Sequence, residues 1–259
     1  GNTTADNNTA VGSNSLKANT TGTHNTAVGV EALNKNTTGC FNQAVGSFAL
    51  GCNTEGCQNV AMGMSALIVN TTGDHNVAIG RLALTSNQTA DSNTAVGTES
   101  LKSNTTAAGN SALGYESLEA NTTGSVNVAV GYRALKANTS GGFNTSIGSC
   151  SLYTNQTGAS NVALGYRALK LNTASSNTAI GKDTLQANTS GASNTAVGTA
   201  ALDANTTASN NTAVGAFALC SNTTGPTNTA VGKNSLISNT EGEGNIAIGF
   251  SALASNSTA

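Results

Sequence analysis

The chain has 259 residues, a net charge of -2 and only 8% charged residues. So few charges, with acids in slight excess, predict no basic stripe that could neutralise phosphates, and nucleic acid is not expected as a partner. The longest apolar stretch, NVAMGMSALIV at 59–69, is too short and too interrupted to cross a bilayer, so no membrane insertion is expected.

A short repeat occupies the whole chain. A glycine closes each Ala-Val-Gly-like triplet from Gly12 to Gly249, and successive glycines lie 17 residues apart, except for a step of 16 between Gly165 and Gly181. A unit of this length cannot bury its own apolar side and must stack on its neighbours. The period predicts one repeat domain over residues 1–259, made of fifteen coils and forming a segment of a longer fibre.

Residues 25–41 serve as the template coil, and the equivalent positions of all coils form columns named after the template residue. The Val28 column holds Val, Ile, Leu or Met and the Leu33 column is always Leu, so both are predicted to be core. The Ala27 and Ala32 columns hold small residues. Segments rich in Val, Ile and Thr, separated by Gly and Asn, favour two short strands per coil. The expected fold is an all-β parallel β-solenoid.

Two asparagine columns, those of Asn25 and Asn36, flank the strands in this interpretation. Stacked Asn side chains can hydrogen-bond along a column as a ladder, and Asn and Gly tolerate the left-handed conformations of sharp corners. We expect the 16-residue coil to lose its residue in the turn after Asn172, which leaves its strands in register.

The restricted columns also lead to a prediction about assembly. Both Ala27 and the oppositely directed Val28 are restricted in type, which suggests that both faces of the first strand are covered. One cover is the chain's own coil, and the other is predicted to be an identical chain that approaches the small Ala27 and Ala32 columns closely. Three parallel copies about one axis are the simplest arrangement, so we expect a homotrimer or a filament of identical chains.

The repeat resembles that of phage tail-fibre proteins, in which it often precedes an intramolecular chaperone domain. The matching text is NTAVGVEALNKNTTG at 25–39 and NTAVGAFALCSNTTG at 211–225. More distantly, NVAIG at 76–80 and NIAIG at 245–249 are similar to the head repeats of YadA-like trimeric autotransporter adhesins. The resemblance implies a trimeric, left-handed β-roll that forms the shaft or head of an attachment fibre. It would lie outside the cell, on the cell surface or on a virion tail, and display or space a surface that binds a host glycan or protein.

A purely structural extracellular filament is the alternative function. The Asn36 column carries many N-glycosylation sequons, which either report turn chemistry or carry glycans in such a filament. The candidate glycosylation sites are Asn19, Asn36, Asn70, Asn104, Asn121, Asn138, Asn188, Asn205 and Asn222. Ice binding by threonine columns is the least favoured function. It needs unbroken rows of Thr, and residues such as Gln43 interrupt the Thr26 column.

Few side chains suggest chemistry. Cys40 and Cys57 lie 17 residues apart and hence in one column on adjacent coils, where they are either a disulfide or ordinary small turn residues. The aromatic residues Tyr115, Tyr132 and Tyr166 share the Val30 column and either contact sugars or pack at coil edges and between chains. Nucleophile, base and paired-carboxylate patterns do not recur, so we expect no enzyme, cofactor or metal site.

Overall fold

The computed structural model describes residues 4–258, in which regular structure consists of three-residue strands and no helix. The chain divides into two compact units, residues 1–127 and 128–259. The strands of the first unit are β1 (Thr9–Val11), β2 (Thr26–Val28), β3 (Gln43–Val45), β4 (Val60–Met62), β5 (Val77–Ile79), β6 (Thr94–Val96) and β7 (Ser111–Leu113). Those of the second are β8 (Val128–Val130), β9 (Thr145–Ile147), β10 (Val162–Leu164), β11 (Thr178–Ile180), β12 (Thr195–Val197), β13 (Thr212–Val214), β14 (Thr229–Val231) and β15 (Ile246–Ile248).

Within each unit, every strand pairs in parallel with the strand of the next coil. The Ala27 column defines the register, since Ala27 lies opposite Ala10 on one side and Ala44 on the other. The 16-residue coil keeps this register: Ala163 of β10 pairs with Ala179 of β11. The missing residue follows Asn172, whose side chain donates to the carbonyl of Ala174 rather than to a residue three positions ahead. The predicted all-β parallel β-solenoid and the position of its short coil are therefore confirmed.

The core of each coil is built from the Ala27, Ala32 and Leu33 columns. Leu33, Ala27 and Ala32 have no exposed surface, and the equivalent leucines are among the largest fully buried side chains. The prediction that the Leu33 column is core is confirmed. The expectation that the Ala27 and Ala32 columns receive a second chain is wrong, because these side chains are already enclosed by their own coil.

The Val28 column does not belong to the core. In every strand from β2 to β15 the central residue is buried, while the residues on either side are exposed or half-buried. Side chains alternate across a strand, so when the small central residue points inward its larger neighbours must point outward. The prediction that the Val28 column is buried is therefore wrong.

The structure contains one strand per coil, not the two that the sequence suggested. After Gly29 the backbone stops being extended: Glu31 and Leu33 have positive φ angles of 56° and 49°. The backbone still bonds between coils, because the N–H of Glu31 donates to Ser13 on one side and that of Leu33 to Ala49 on the other. A leucine with positive φ is strained, and its complete burial helps to hold it there.

Glycine is required where the strand turns this corner. Gly131 has φ 131°, and a Cβ added to it would lie 2.8 Å from the carbonyl carbon of Gly148 in the next coil. No side chain fits between two backbones at that separation. The glycine at the end of each triplet thus permits the coils to stack at the spacing of hydrogen-bonded strands, about 4.8 Å.

Both asparagine columns are buried except at the terminal coils, and both are hydrogen-bonded, each in its own way. In the Asn36 column the side chains bond to one another: Nδ2 of Asn36 donates to Oδ1 of Asn19 at 2.8 Å and to the carbonyl of Gly39 at 2.9 Å. In the Asn25 column, Oδ1 of Asn25 mainly serves the backbone, accepting from the N–H of Asn42. The predicted ladder is confirmed for the Asn36 column.

Candidate binding surfaces

The outward face of the strands forms an uncharged surface in each unit. We call the Thr26 and Val28 columns together the outer stripe. Its members are Thr, Val, Ile, Leu, Met, Gln or Ser, and none is charged. Its most exposed large apolar members are Val11, Val45, Met62, Ile79, Leu113, Val128, Ile147, Val162, Leu164, Val214, Ile246 and Ile248. A continuous apolar surface of this kind is typical of an interaction site.

A second surface, in the second unit, combines aromatic rings with cations. The sequence Tyr-Arg-Ala-Leu-Lys occurs at 132–136 and again at 166–170. The guanidinium of Arg133 lies 4.9 Å from the ring centre of Tyr132, and that of Arg167 lies 4.8 Å from the ring centre of Tyr166. Both tyrosines are more than two-fifths exposed. These cation–π pairs hold each ring and its charge together at the surface.

Tyr115, which shares the Val30 column with Tyr132 and Tyr166, belongs to the first unit and is similarly exposed.

The first unit also contains an acidic cluster that the sequence did not suggest, because its members come from different coils. Carboxylate oxygens of Glu99, Glu116 and Glu119 lie within 4.8 Å of one another. Arg81 and Lys102 form ion pairs with Glu99, and the hydrogen bond from Lys102 lowers the pKa of this carboxyl.

The five cysteines carry free thiols, and Cys40 and Cys57 stand in one column on adjacent coils. The Sγ atom of Cys57 accepts a hydrogen bond from the backbone N–H of Cys40 at 3.0 Å. Burial raises the pKa of the Cys57 thiol above its ordinary value, which reduces the thiolate fraction available for oxidation at neutral pH. A disulfide between the two remains a prediction.

The sequon asparagines lie inside the coils. All nine candidate glycosylation sites, Asn19, Asn36, Asn70, Asn104, Asn121, Asn138, Asn188, Asn205 and Asn222, are buried. Glycan attachment uses the amide nitrogen, and in the Asn36 ladder that atom donates two hydrogen bonds. The folded coil therefore does not present these nitrogens to an enzyme. Glycosylation remains a prediction that would require modification before folding, and intact mass before and after enzymatic removal of glycans tests it.

His24 lies in a turn. The ring of His24 stacks on that of Phe41, with 4.7 Å between ring centres. Among residues 4–258 no pocket is found, and no helix there could span a membrane.

No protein-family model matches this chain, and a search of curated proteins finds no match either.

Proposed function

We propose that the chain is a structural module of an extracellular or viral attachment fibre, in which identical copies associate through the outer stripe. The observation that carries the proposal is the orientation of the strands. Their small central residues fill the coil, while their larger, uncharged neighbours remain exposed. A lone chain would leave this apolar surface in water, and burial of such surface is the main favourable contribution to association.

The size of the stripe supports a second copy as its occupant. The second unit has eight strands, each with two outward residues. Eight of these sixteen residues are exposed and the other eight are half-buried, so the uncharged face extends over all the strands of the unit. The absence of charge on the stripe favours another uncharged stripe over a charged partner.

The repeat itself supports parallel copies. Equivalent side chains recur at every coil, so two parallel chains in register present matching columns along the stripe. Three copies about one axis form a closed assembly in which each chain has the same environment. A left-handed roll, as the resemblance to adhesin and tail-fibre repeats implies, is part of this proposal.

The test measures assembly and folding together. Native mass of the chain, whose monomer is 25.4 kDa, is expected to correspond to three copies. The double variant Val197→Asp, Val214→Asp places charges on the outer stripe and is expected to dissociate the copies, because each charge would lose its hydration in the interface. The control Thr207→Asp, Thr224→Asp adds the same charges to exposed turns of the same two coils and is expected to keep the native mass.

A folded, stable monomer of the parent chain would overturn the proposal. Unchanged mass of the Val197→Asp, Val214→Asp variant would exclude the outer stripe as the interface. A dimer would support association but exclude the three-copy arrangement. Circular dichroism of each sample separates loss of assembly from loss of fold.

A further inference from the structure

Cys40 and Cys57 are neighbours in one column of the first unit, which we call the Cys40 column. The backbones of their coils are bonded at this point, because the N–H of Gln58 donates to the carbonyl of Cys40 at 2.9 Å. The thiol of Cys40 donates to the carbonyl of Thr38 at 3.2 Å. The thiol of Cys57 makes the equivalent bond to Glu55 at 3.4 Å. Side chains with the same local contact point the same way, so the two sulfurs stack at the coil spacing of about 4.8 Å.

Other members of the Cys40 column cap the backbone of the preceding coil. Oδ1 of Asp74 accepts from the N–H of Cys57 at 2.6 Å. In the second unit, Oγ of Ser175 accepts from the N–H of Ala159 at 3.0 Å. Sulfur is a weaker acceptor than either oxygen. Two thiols on adjacent coils therefore add a chemistry that capping does not require.

Both thiols are free and half-buried, so an ion can reach them from solvent. Burial is the largest cause of the raised pKa of the Cys57 thiol, and negative charge on Cys40 or Asp74 adds to it. A raised pKa slows oxidation at neutral pH, because the thiolate is the reactive form. A metal ion with high affinity for sulfur displaces the proton instead. The pair is therefore better suited to such an ion than to spontaneous formation of a disulfide.

The spacing of the two sulfurs selects the coordination. With metal–thiolate bonds of about 2.3 Å, the length found for zinc, two bonds in a line span about 4.6 Å, close to the coil spacing of about 4.8 Å. Structural zinc needs four ligands in a tetrahedron. Among residues 4–258, the only set of three His, Cys, Asp or Glu ligand atoms within 4.8 Å of one another is that of Glu99, Glu116 and Glu119. The cysteine pair offers two ligands, which suits a soft ion such as Cu(I).

We propose that Cys40 and Cys57 bind one soft cation of the Cu(I) type between two stacked coils. Each thiol releases its proton to solvent and forms one bond from sulfur to the metal, and no electron is transferred. The N–H of Cys40 donates to Sγ of Cys57 at 3.0 Å, which stabilises negative charge on that sulfur. The site lies within one chain and does not depend on the attachment function.

This proposal departs from the expectation, based on sequence spacing, that the chain has no metal site. The two cysteines are 17 residues apart, and only the coil register brings them together.

The experiment measures Cu(I) affinity in the absence of oxygen, by competition with a coloured Cu(I) chelator. The starting protein is the full chain with Cys52→Ser, Cys150→Ser and Cys220→Ser, in which the pair holds the remaining thiols. We expect one Cu(I) per chain, with two sulfur ligands by X-ray absorption. Adding Cys57→Ser should lower the affinity roughly a hundredfold or more, because a second thiolate must then come from another molecule. The fold should persist, since Ser175 already acts as a cap in this column.

Moving the second thiol along the column tests the spacing. Thr23→Cys combined with Cys57→Ser rebuilds an adjacent pair with Cys40 and should restore tight binding. Asp74→Cys combined with Cys57→Ser places the two thiols two coils apart, at roughly 10 Å, which two metal–sulfur bonds cannot span. This variant should bind as weakly as Cys57→Ser alone. Circular dichroism confirms that each variant is folded.

Asp74 distinguishes two ligands from three. Asp74→Asn keeps an oxygen for the N–H of Cys57 and removes a negative charge beside an anionic complex. The Cu(I) affinity should therefore stay the same or rise severalfold. A large fall would show that the carboxylate is a ligand and would overturn the two-thiolate site.

Equal Cu(I) affinity with and without Cys57→Ser would overturn the proposal, as would equal affinity of the adjacent and the separated pairs. One ion for two chains would place the metal between copies and contradict a site within one chain. Isolation of the pair as a disulfide that resists mild reductants would also overturn the proposal, because no thiolate would then be left for the ion.

Discussion

The centre and the flanks of each strand obey different constraints, although only one residue separates them. The central Ala27 column is Ala in every coil except at Ser146, while the flanking Val28 column varies among Val, Ile, Leu and Met. The larger and more apolar column is the exposed one. In a coil this narrow, limited room restricts the inward position of the strand to small residues, and apolar character alone does not indicate burial.

The largest test of this contrast compares two leucines of one coil. Leu169 is completely buried and Leu164, in β10, is 42% exposed. Leu169→Ala should lower the free energy of unfolding by about 2–5 kcal/mol, because it removes buried methyl groups and leaves a cavity. The same substitution at Leu164 should cost less than about 1 kcal/mol in dilute solution. Chemical denaturation of both variants gives the two values, and equal losses would contradict the assigned faces.

Melting at several protein concentrations provides a further test of the variants Leu164→Ala and Leu169→Ala. If copies associate through the outer stripe, the effect of Leu164→Ala on the melting temperature should grow as protein concentration rises, since association stabilises the folded state by mass action. The effect of Leu169→Ala should vary little with concentration.

A second test enlarges the central residue instead. Ala163→Leu should destabilise the fold by about 1–3 kcal/mol, because the enclosed coil has no space for three more carbons. Its matched control is Val162→Leu on the exposed flank, which should have little effect on the monomer. Had the Ala27 column faced another chain, Ala163→Leu would dissociate the copies and leave the melting of the monomer unchanged.

The sequence is sufficient for the period, the parallel stacking and the Leu33 core because these follow from repetition itself. It is not sufficient for the direction of the strand: Ala27 and Val28 are both restricted, and only the backbone decides which points inward. It also suggests a second strand where Glu31 and Leu33 adopt positive φ, a conformation that neither residue type favours. The two Tyr-Arg-Ala-Leu-Lys segments at 132–136 and 166–170 are visible in the sequence, but their shared face follows only from the coil register.

The buried ladder of the Asn36 column provides another test inside the coil. The expected loss of stability is comparable to that of Ala163→Leu. Nδ2 of Asn155 donates to Oδ1 of Asn138 and to the carbonyl of Gly158, and its own Oδ1 accepts from Asn172. Asn155→Ala should cost about 1–3 kcal/mol, since it leaves buried groups on both adjacent coils without this partner. Thermal melting followed by circular dichroism measures the loss. A melting temperature equal to that of the parent would show that the ladder contributes nothing to stability.

The smallest expected effect concerns the carboxyl of Asp203, a half-buried residue. Burial, and secondarily the carboxylate of Asp183, raises the pKa of Asp203 above its ordinary value. Asp183 has one oxygen, Oδ1, that is buried and has no hydrogen-bond partner among the described residues. A raised pKa means that the folded state binds the proton more tightly than the unfolded state. The stability contributed by Asp203 is therefore greatest below its unfolded pKa, and it falls as pH rises through the interval up to its folded pKa.

Asp203→Asn removes this penalty and should raise the melting temperature at pH 7 by up to about 2 °C. At a pH near 3, where the carboxyl is largely protonated in both states, the variant and the parent should melt together. Glu241→Gln, in an exposed turn, removes the same charge and serves as the control for net charge. A gain at pH 7 that persists undiminished at pH 3, or one that the control reproduces, would exclude ionisation of Asp203 as its cause.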